Sequence, residues 1–255
     1  MREFLLFHLY GPMASWGDIA VGVTRPSFAH PTRSAMLGLV AAAMGVDRDD
    51  EEAHQNLSSS LRFAFRVSTP GIILRDYHTI QVPPAKDKIR HYTRKSELET
   101  GDLNTILSSR DYYCDAIYTI CLWTRGDSPL SLAAVAQSLA QPTYTLYLGR
   151  KSCPPAMPLA PRVLTAATIK EAFAQAEALH QQTSENGVMG PGGLLDDIPS
   201  SDIHQYYWEE LDGIQETGFE TIHINTRRDT PISRARWQFT ERDEFYTSIS
   251  AKQEG

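Results

Sequence analysis

Apolar and polar positions divide the first part of the chain into short elements separated by glycine and proline. A nearly continuous apolar run from Phe4 to Tyr10 ends at Gly11-Pro12, which predicts a strand. The segment from about Thr32 to Met44 is rich in Ala, Leu and Met and predicts a helix, with Gly45 at its C-cap. Residues Leu61 to Val67 are apolar at alternate positions, so they predict a second strand.

Three further elements and one short extended stretch complete this pattern. Ile72 to Leu74 is extended, Tyr113 to Trp123 is rich in strand-forming residues, Leu130 to Leu139 has helical spacing, and Tyr144 to Leu148 returns as a short strand. The resulting order, β-α-β-β-α-β, predicts an α+β fold of the ferredoxin-like, split βαβ class. Both helices are expected to cover one face of the sheet, leaving the other face or the edges available.

A long insertion separates the third element from the Tyr113 strand. The segment from Arg75 to Tyr112 is too long for an ordinary hairpin connection, and it also contains Tyr77 and Tyr92. Cations interleaved with aromatic rings suit single-stranded nucleic acid, because charge follows the phosphates and rings stack on bases. A solvated loop and a disordered segment stay open as alternatives. The cations of its first part are Arg75, Lys86, Lys88, Arg90, Arg94 and Lys95.

The charge is distributed unevenly along the chain. The formal net charge is −7, but residues 185–255 hold 14 Asp/Glu against 6 Lys/Arg, so the acidity is C-terminal and predicts a solvated face there. The longest apolar run, Ala35 to Val46, is far shorter than the roughly twenty residues of a membrane span. Three cysteines without metal-ligand spacing predict neither a disulfide framework nor a zinc site and fit a reducing cytoplasm.

Two segments are candidates for anion binding. In the first, Thr32 or Ser34 can cap the helix, the first helical amides point outward, and Arg25 and Arg33 add positive charge. For an isolated cap, helix capping without any ligand is the favoured explanation of the two hydroxyl residues. The deciding evidence has to come from neighbouring segments.

The second candidate is the turn from Tyr147 to Pro154. Gly149 allows a phosphate to approach the backbone, and Arg150 and Lys151 follow at once. In a ferredoxin-like fold this turn is expected beside the first strand, near the loop from Gly11 to Gly17. Three amide-rich or positive elements would then converge on one surface.

Five ordered blocks of residues resemble the CasD subunits of the type I-E CRISPR Cascade complex, which are members of the RAMP superfamily. The resemblance covers the first 155 residues closely, and Arg228 to Pro231 and Trp237 to Tyr246 look like the family's closing strands. The blocks are Gly11-Pro12-Met13 with Ser15-Trp16-Gly17, Thr24-Arg25-Pro26, Pro31-Thr32-Arg33-Ser34 with Leu37-Gly38-Leu39, Leu74-Arg75-Asp76-Tyr77-His78-Thr79, and Tyr147-Leu148-Gly149-Arg150-Lys151-Ser152-Cys153-Pro154.

The resemblance implies a non-catalytic protein that binds and caps the five-prime handle of the CRISPR RNA (crRNA). Such a subunit helps to assemble the Cascade backbone for target DNA recognition in antiviral defence, and needs no cofactor. Its implied partners are crRNA, the Cascade backbone subunit and the large subunit, with target DNA contacted indirectly and no membrane. Family members are similar to a hand, in which a thumb hairpin projects from a ferredoxin-like palm.

The resemblance also assigns parts of this chain. Residues 1–154 would form the palm, with 75–112 as the thumb, and residues 155–255 a smaller β-rich region with an insert at 165–218. Within that insert, Thr168 to Gln182 predicts a helix and Asn186 to Ser200 a linker. The expected RNA-binding residues are Trp16, Arg25, Thr32, Arg33, Ser34, Arg75, His78, Lys86, Lys88, Arg90, Gly149, Arg150 and Lys151.

A metal-independent endoribonuclease that processes CRISPR repeat RNA is the alternative function. Such cleavage needs a base for the 2′-hydroxyl and a cation or acid for the leaving group. His78 or His91, with Tyr77, Lys86 or Lys88, could supply these groups. Type I-E systems carry a separate processing subunit, which favours the non-catalytic function.

Overall fold

The computed structural model describes residues 1–84, 90–99, 101, 103–126, 128–185, 201–212, 214 and 216–251. The strands are β1 Arg2–Tyr10, β2 Met13–Ala14, β3 Trp16–Gly17, β4 Thr24–Arg25, β5 Ser27–Phe28, β6 Leu61–Thr69, β7 Ile72–Val82, β8 Asn104–Cys114, β9 Ile117–Thr124, β10 Arg162–Ala166, β11 Ile203–Trp208, β12 His223–Ser233 and β13 Gln238–Ser250. The helices are α1 Arg33–Met44, α2 Glu51–Ser60, α3 Arg94–Leu98, α4 Leu132–Ala140 and α5 Ile169–Glu185.

One antiparallel sheet organises the described part of the chain. Its strand order is β10-β1-β9-β6-β11-β13-β12, with β1 paired to both β10 and β9. The C-terminal strands β11 to β13 continue this sheet beyond β6. The regions on either side of residue 154 therefore share a single sheet. Among the described residues, no helix combines the length and apolar character needed to cross a bilayer.

Strand β1 explains why the sheet has a core on each face. Leu5 and Phe7 point to the core formed with α1 and α4, whereas Phe4 and Leu6 point to a second core that includes Phe173 of α5. Alternate residues of a strand face opposite sides, so an unbroken apolar run buries both. The expectation that one face stays open is wrong, because α5 covers it.

Helix α1 has the predicted caps. The hydroxyl of Thr32 accepts a hydrogen bond from the amide of Ala35 at 3.3 Å, and Gly45 ends the helix in the left-handed conformation, with φ 75°. Thr32 rather than Ser34 is therefore the N-cap. The pattern did not predict α2, which begins at the Asp50 cap and buries only two side chains, His54 and Leu57.

Two predicted strands need correction. Residues Tyr144 to Leu148 form no strand: the amide of Tyr144 donates to the carbonyl of Ala42, so the segment packs along α1, and β10 takes the sheet position instead. Its alternation reflects the burial of Leu146 and Leu148. The stretch from Tyr113 to Trp123 is divided between β8 and β9 by a turn at Asp115, which has φ 56°.

The turn at Gly149 packs tightly against the N-terminal loop. The amide of Ser15 donates to the carbonyl of Leu148 at 3.1 Å, and Gly149 has φ 84°. A Cβ at Gly149 would overlap the carbonyl oxygen of Ser15. Glycine is required here for a close approach inside the protein, rather than for the predicted approach of a phosphate.

The long insertion contains a hairpin. Strands β7 and β8 pair along their whole length, from Ile72 opposite Cys114 to Val82 opposite Asn104. Most residues of β7 are exposed. The hairpin begins three residues before the predicted boundary at Arg75. At its base, the short strands β2 and β4 pair with β8, and from there the hairpin projects away from the main sheet.

A buried ionic network joins the start of α1 to the C-terminal strands. Arg33 is 3% exposed; its Nη1 pairs with Glu209 at 2.5 Å, and its amide donates to Asp229 at 2.8 Å. Asp229 also accepts from Nε and Nη2 of Arg242, at 2.7 and 2.9 Å. The carboxylate of Asp229 therefore occupies the position in front of α1 where the sequence predicted an external anion.

The same network continues through Glu244. Its carboxylate meets Nη2 of Arg242 at 2.9 Å, Nε2 of His30 at 3.2 Å and Nε of Arg227 at 3.3 Å. His30 stacks on the ring of Tyr207, with centroids 3.8 Å apart. Burial alone would raise the pKa of Glu244, but His30, Arg242 and Arg227 lower it to about 2.

The expectation of a solvated acidic face holds for most of the described C-terminal acids, such as Glu210, Glu220 and Glu241, which are exposed, but not for the three acids of the network. Glu209, Asp229 and Glu244 are each at most 5% exposed. They form ion pairs with Arg33, Arg227 and Arg242, so these three C-terminal carboxylates are neutralised inside the fold.

Replacing Gly149 by Ala is expected to destabilise the protein by at least about 2 kcal/mol, because the new Cβ has neither space nor an allowed conformation. Gly17→Ala is the matched control, since a Cβ at Gly17 meets nothing within 4 Å. Denaturant unfolding measures both. Equal stability of the two variants would contradict the packing described at Gly149.

Replacing Arg33 by Ala is expected to lower the free energy of unfolding by about 3–5 kcal/mol, because it leaves a buried carboxylate without its partner. Arg25→Ala, at an exposed arginine eight residues earlier, should change stability by less than about 0.5 kcal/mol. Urea titrations would compare the two. A loss of RNA binding by the Arg33 variant without loss of stability would refute the structural role.

Glu244 is also expected to make stability depend on pH. Its lowered pKa means that its contribution is fully present above about pH 4.5 and is lost as the pH falls towards about 2. At about 1.4 kcal/mol per pKa unit, the loss is about 3 kcal/mol. Unfolding wild type and Glu244→Gln across this window should give converging free energies, and parallel profiles would contradict the assignment.

Candidate nucleic-acid interface

The glycine turn, the N-terminal loop and the root of the hairpin meet on one surface. Arg150 donates through Nη2 to the carbonyl of Arg25 at 3.4 Å, and its guanidinium lies over the ring of Tyr112, 4.8 Å from the centroid. The loop contact between Ser15 and Leu148 lies next to this pair. The predicted convergence of the glycine turn with the N-terminal loop is thus present in the structure.

Arg25 presents its charge at the edge of this surface. Its Nη1 donates to the carbonyls of Gly22 and Thr24, at 2.6 and 3.0 Å, and the residue is exposed. Strand β4 is parallel to β8 and places Arg25 opposite Arg110. Register partners lie on the same face of a sheet, so two arginines lie side by side.

Arg110 was not identified from the sequence. It lies in β8, opposite Asp76 of β7, and is separated by one residue from Tyr112. The alternation of β8 places Arg110 and Tyr112 on one face of the hairpin, which could have identified it once the register was known. No sequence pattern reveals a register between segments this far apart.

We call this group the basic surface, and define it as Arg25, Arg110, Arg150 and Lys151. Within the described residues, none of the four forms an ion pair with a carboxylate, and Nη1 of Arg150 has no hydrogen-bond acceptor. That Nη1 atom is itself buried, so an incoming anion would meet the exposed parts of these four side chains, whose charge no described carboxylate compensates. The surface is therefore suited to phosphate groups.

Three expected contact residues are buried instead. Trp16 is fully buried and packs edge-on against Tyr118, with ring centroids 5.6 Å apart. Thr32 is 2% exposed and serves as the helix cap, while Arg33 belongs to the buried ionic network. Their burial reflects packing and internal pairing, so none of these side chains lies on the basic surface. Ser34 is half-buried, 3.2 Å from the Thr32 hydroxyl.

The hairpin residues divide into paired and exposed groups. Arg75 holds Asp111 through two hydrogen bonds, at 2.7 and 3.0 Å, and this contact lowers the pKa of the Asp111 carboxyl. The charge of Arg75 is thus largely compensated within the hairpin. His78 and Arg90 are exposed. Lys86 and Lys88 lie outside the described residues.

The two histidines proposed as catalytic groups lie in different surroundings. His78 is in β7, opposite Ser108 of β8, whereas His91 is 2.8 Å from the hydroxyl of Ser96 in α3. In the described part of the chain, neither imidazole shares a hydrogen bond with a second acid or base. The geometry does not assemble an acid-base pair from these histidines.

Comparison with known proteins identifies relatives over most of the chain. The family model described as "CRISPR-associated protein (Cas_Cas5)" matches residues 4–244. The "CRISPR system Cascade subunit CasD" of Escherichia coli (strain K12) is 37% identical over 169 residues, which cover 62% of this chain and 70% of that protein.

Solved structures share the fold. A chain described as "CRISPR RNA-guided surveillance complex" superposes with a TM-score of 0.61 at 24% identity, covering 98% of this chain and 92% of its own. A structure described as "Crystal structure of Cas protein" gives 0.57 at 20% identity, with 98% and 96% covered. Since the family model extends from the first strand into the last and a curated relative agrees with it, the chain belongs to the CRISPR-associated Cas5 family.

Proposed function

We propose that this protein is a type I-E Cascade subunit that binds and caps the five-prime handle of crRNA. The observation that carries the proposal is the basic surface, whose four cations form no ion pair with a carboxylate of the described residues and lie at the meeting point of the glycine turn, the N-terminal loop and the hairpin. A relative named as a Cascade subunit, CasD, supports the assignment to the complex. The implied partners are crRNA, the backbone and large subunits of Cascade and, indirectly, target DNA.

The topology of the palm supports this assignment. Four strands of the main sheet, β1, β6, β9 and β10, belong to the proposed palm. Across the sheet they lie in the order β10-β1-β9-β6, so the last of the four in the chain is at one edge, beside the first. Every neighbouring pair is antiparallel. Helix α1 connects the first two strands and α4 the last two. We assign the ferredoxin-like class on this order, with β11 to β13 as an extension of its edge. A palm over residues 1–154 and a separate C-terminal region stay a prediction.

The basic surface would hold the RNA through its backbone. Arg25, Arg110 and Arg150 present planar guanidinium groups that match phosphate oxygens, and Lys151 adds a point charge. Single-stranded RNA leaves its bases and 2′-hydroxyls accessible, so neighbouring groups could read a few of them. This mechanism requires binding but no bond breaking.

The β7–β8 hairpin would act as the thumb against the same RNA. Tyr77 is 67% exposed, and His78 and Arg90 are also exposed. An exposed ring beside cations can stack on a base while the cations hold phosphates. Arg75, by contrast, would contribute by fixing Asp111 and the hairpin register, rather than by gripping RNA.

We infer that the bound RNA is held and not cut. His78 and His91 lie apart on different elements, and the described residues bring neither of them an acid-base partner. General acid-base cleavage requires both groups within reach of the same phosphodiester. A purely structural role for the RNA site is consistent with this geometry.

Removing two cations tests the proposal. The double variant Arg150→Ala/Lys151→Ala is expected to bind handle RNA more weakly and with a shallower salt dependence, by about 0.7 in log–log slope for each phosphate that is no longer neutralised. Lys170→Ala, at an exposed lysine on α5 on the opposite side of the sheet, is the control for removal of a cation away from the basic surface and should leave affinity and salt slope close to wild type. Fluorescence anisotropy with labelled handle RNA measures both.

The same samples test the alternative function. Handle RNA should stay intact on a denaturing gel, and a scrambled RNA of equal length should bind less tightly. Unchanged affinity and salt slope in the double variant, with thermal stability preserved, would refute the phosphate-binding role. Site-specific cleavage that His78→Ala and His91→Ala abolish would replace it with an endoribonuclease.

A further inference from the structure

A groove runs from the basic surface along α1 to the tip of the β12–β13 hairpin. Two adjoining cavities, of about 330 and 770 Å³, form it. The first begins at Gly17 and Gly149, and both are walled by Gly38 and Ala42 of α1 on one side and by Trp237 on the other. Lys151 of the basic surface lines the second cavity. The groove is thus continuous with the proposed RNA site.

Arg234 lies inside this groove. One of its Nη atoms would be only 3.1 Å from a Cβ placed on Gly38, so the glycine makes room for the guanidinium beside α1. Burial lowers the pKa of Arg234, and the positive charge of Arg48 acts in the same direction. Among the described residues, no carboxylate forms an ion pair with this guanidinium.

The nearby carboxylates are engaged elsewhere. Glu51 accepts hydrogen bonds from the backbone amides of Arg234 and Ala235, at 3.1 and 3.4 Å. Asp47 accepts from the hydroxyl of Tyr144 at 2.7 Å. The ionisable groups that line the larger cavity are three cations, one acid and one histidine, namely Arg48, Lys151, Arg234, Asp47 and His54. The groove is therefore positive in a protein whose net charge is −7.

Trp237 closes the outer wall of the groove. Its side chain is 64% exposed and its φ is 51°, a conformation that is strained for a bulky residue. The guanidinium of Arg48 lies over its ring, 5.1 Å from the centroid. An exposed ring beside two arginines combines a stacking surface for a base with donors for its phosphate.

We propose that this groove binds a further segment of the same single-stranded RNA, with phosphate at Arg48 and Arg234 and a base stacked on Trp237. The inference rests on the proposed function, because the RNA would enter the groove from the basic surface. A nucleic-acid occupant is favoured over a protein because the groove continues from the basic surface, because none of its cations forms an ion pair with a carboxylate of the described residues, and because an exposed aromatic ring stands beside them.

The tryptophans of this chain provide a direct test. Trp16, Trp123 and Trp208 are at most 2% exposed, so Trp237 alone is accessible to a collisional quencher. Acrylamide should quench the emission of the free protein through Trp237. Saturating handle RNA should protect that ring and abolish most of the quenching.

Substitutions then separate stacking from charge. Trp237→Ala is expected to weaken RNA affinity about tenfold, whereas Trp237→Tyr, which retains an aromatic ring, should stay close to wild type. Arg48→Ala should reduce the log–log salt slope by about 0.7. Arg236→Ala removes the same charge from the β12–β13 hairpin that carries Trp237, but outside the groove lining, and should leave both quantities unchanged.

The outcomes distinguish the two proposals. RNA that binds with full affinity while acrylamide still reaches Trp237 would overturn the groove proposal and leave the basic surface intact. Absence of RNA binding by the wild-type protein would overturn both. Protection of Trp237 that appears only when other Cascade subunits are added would assign the groove to a protein partner and likewise overturn the proposal.

Discussion

The structure depends on the ionic network buried between the start of α1 and the C-terminal strands. It places three guanidinium groups and three carboxylates in an almost solvent-free region, where breaking a single pair leaves a charge uncompensated. Its members come from three distant parts of the chain: Arg33, Glu209 and the β12–β13 hairpin. Strands β12 and β13 therefore help to hold the start of α1 in position, beside the packing of α1 in the hydrophobic core.

The network also divides the arginines of the protein into two groups: those that form buried ion pairs, and those that could bind an external anion. Asp229 occupies the amide at the start of α1 and thereby fills the position where an external anion would otherwise bind. The unpaired cations lie on either side of this point, with Arg25 and Arg150 at the glycine turn and Arg48 and Arg234 along the groove. An overall acidic protein can thus present a positive path for the proposed RNA, because the three carboxylates of the network are buried against its arginines while these other cations form no ion pair with a described carboxylate.

Local patterns predicted the elements whose formation depends on neighbouring residues. Thr32 and Gly45 define α1 through contacts within a few residues, and α4 and α5 follow from helical spacing. Predictions failed where distant segments compete. Tyr144 to Leu148 has the alternation of a strand but packs along α1, since β10 pairs with β1 instead. Arg33 looks like a surface cation until Glu209, 176 residues later, is placed beside it. Arg110 gained significance only from its register with Arg25.

The sequence by itself determined the family resemblance, the elements β1, α1, β6 and α4, and the concentration of glycines and cations at the N-terminal loop and at Gly149. These features are encoded in contiguous residues, whose spacing and chemistry can be recognised without coordinates. Only the tertiary structure decided which cations are free, that α5 covers the second face of the sheet, and that Trp237 stands against α1 across a positive groove. Burial and ion pairing depend on which distant segments come within a few ångströms of each other. The pattern of neighbouring residues does not specify these long-range contacts.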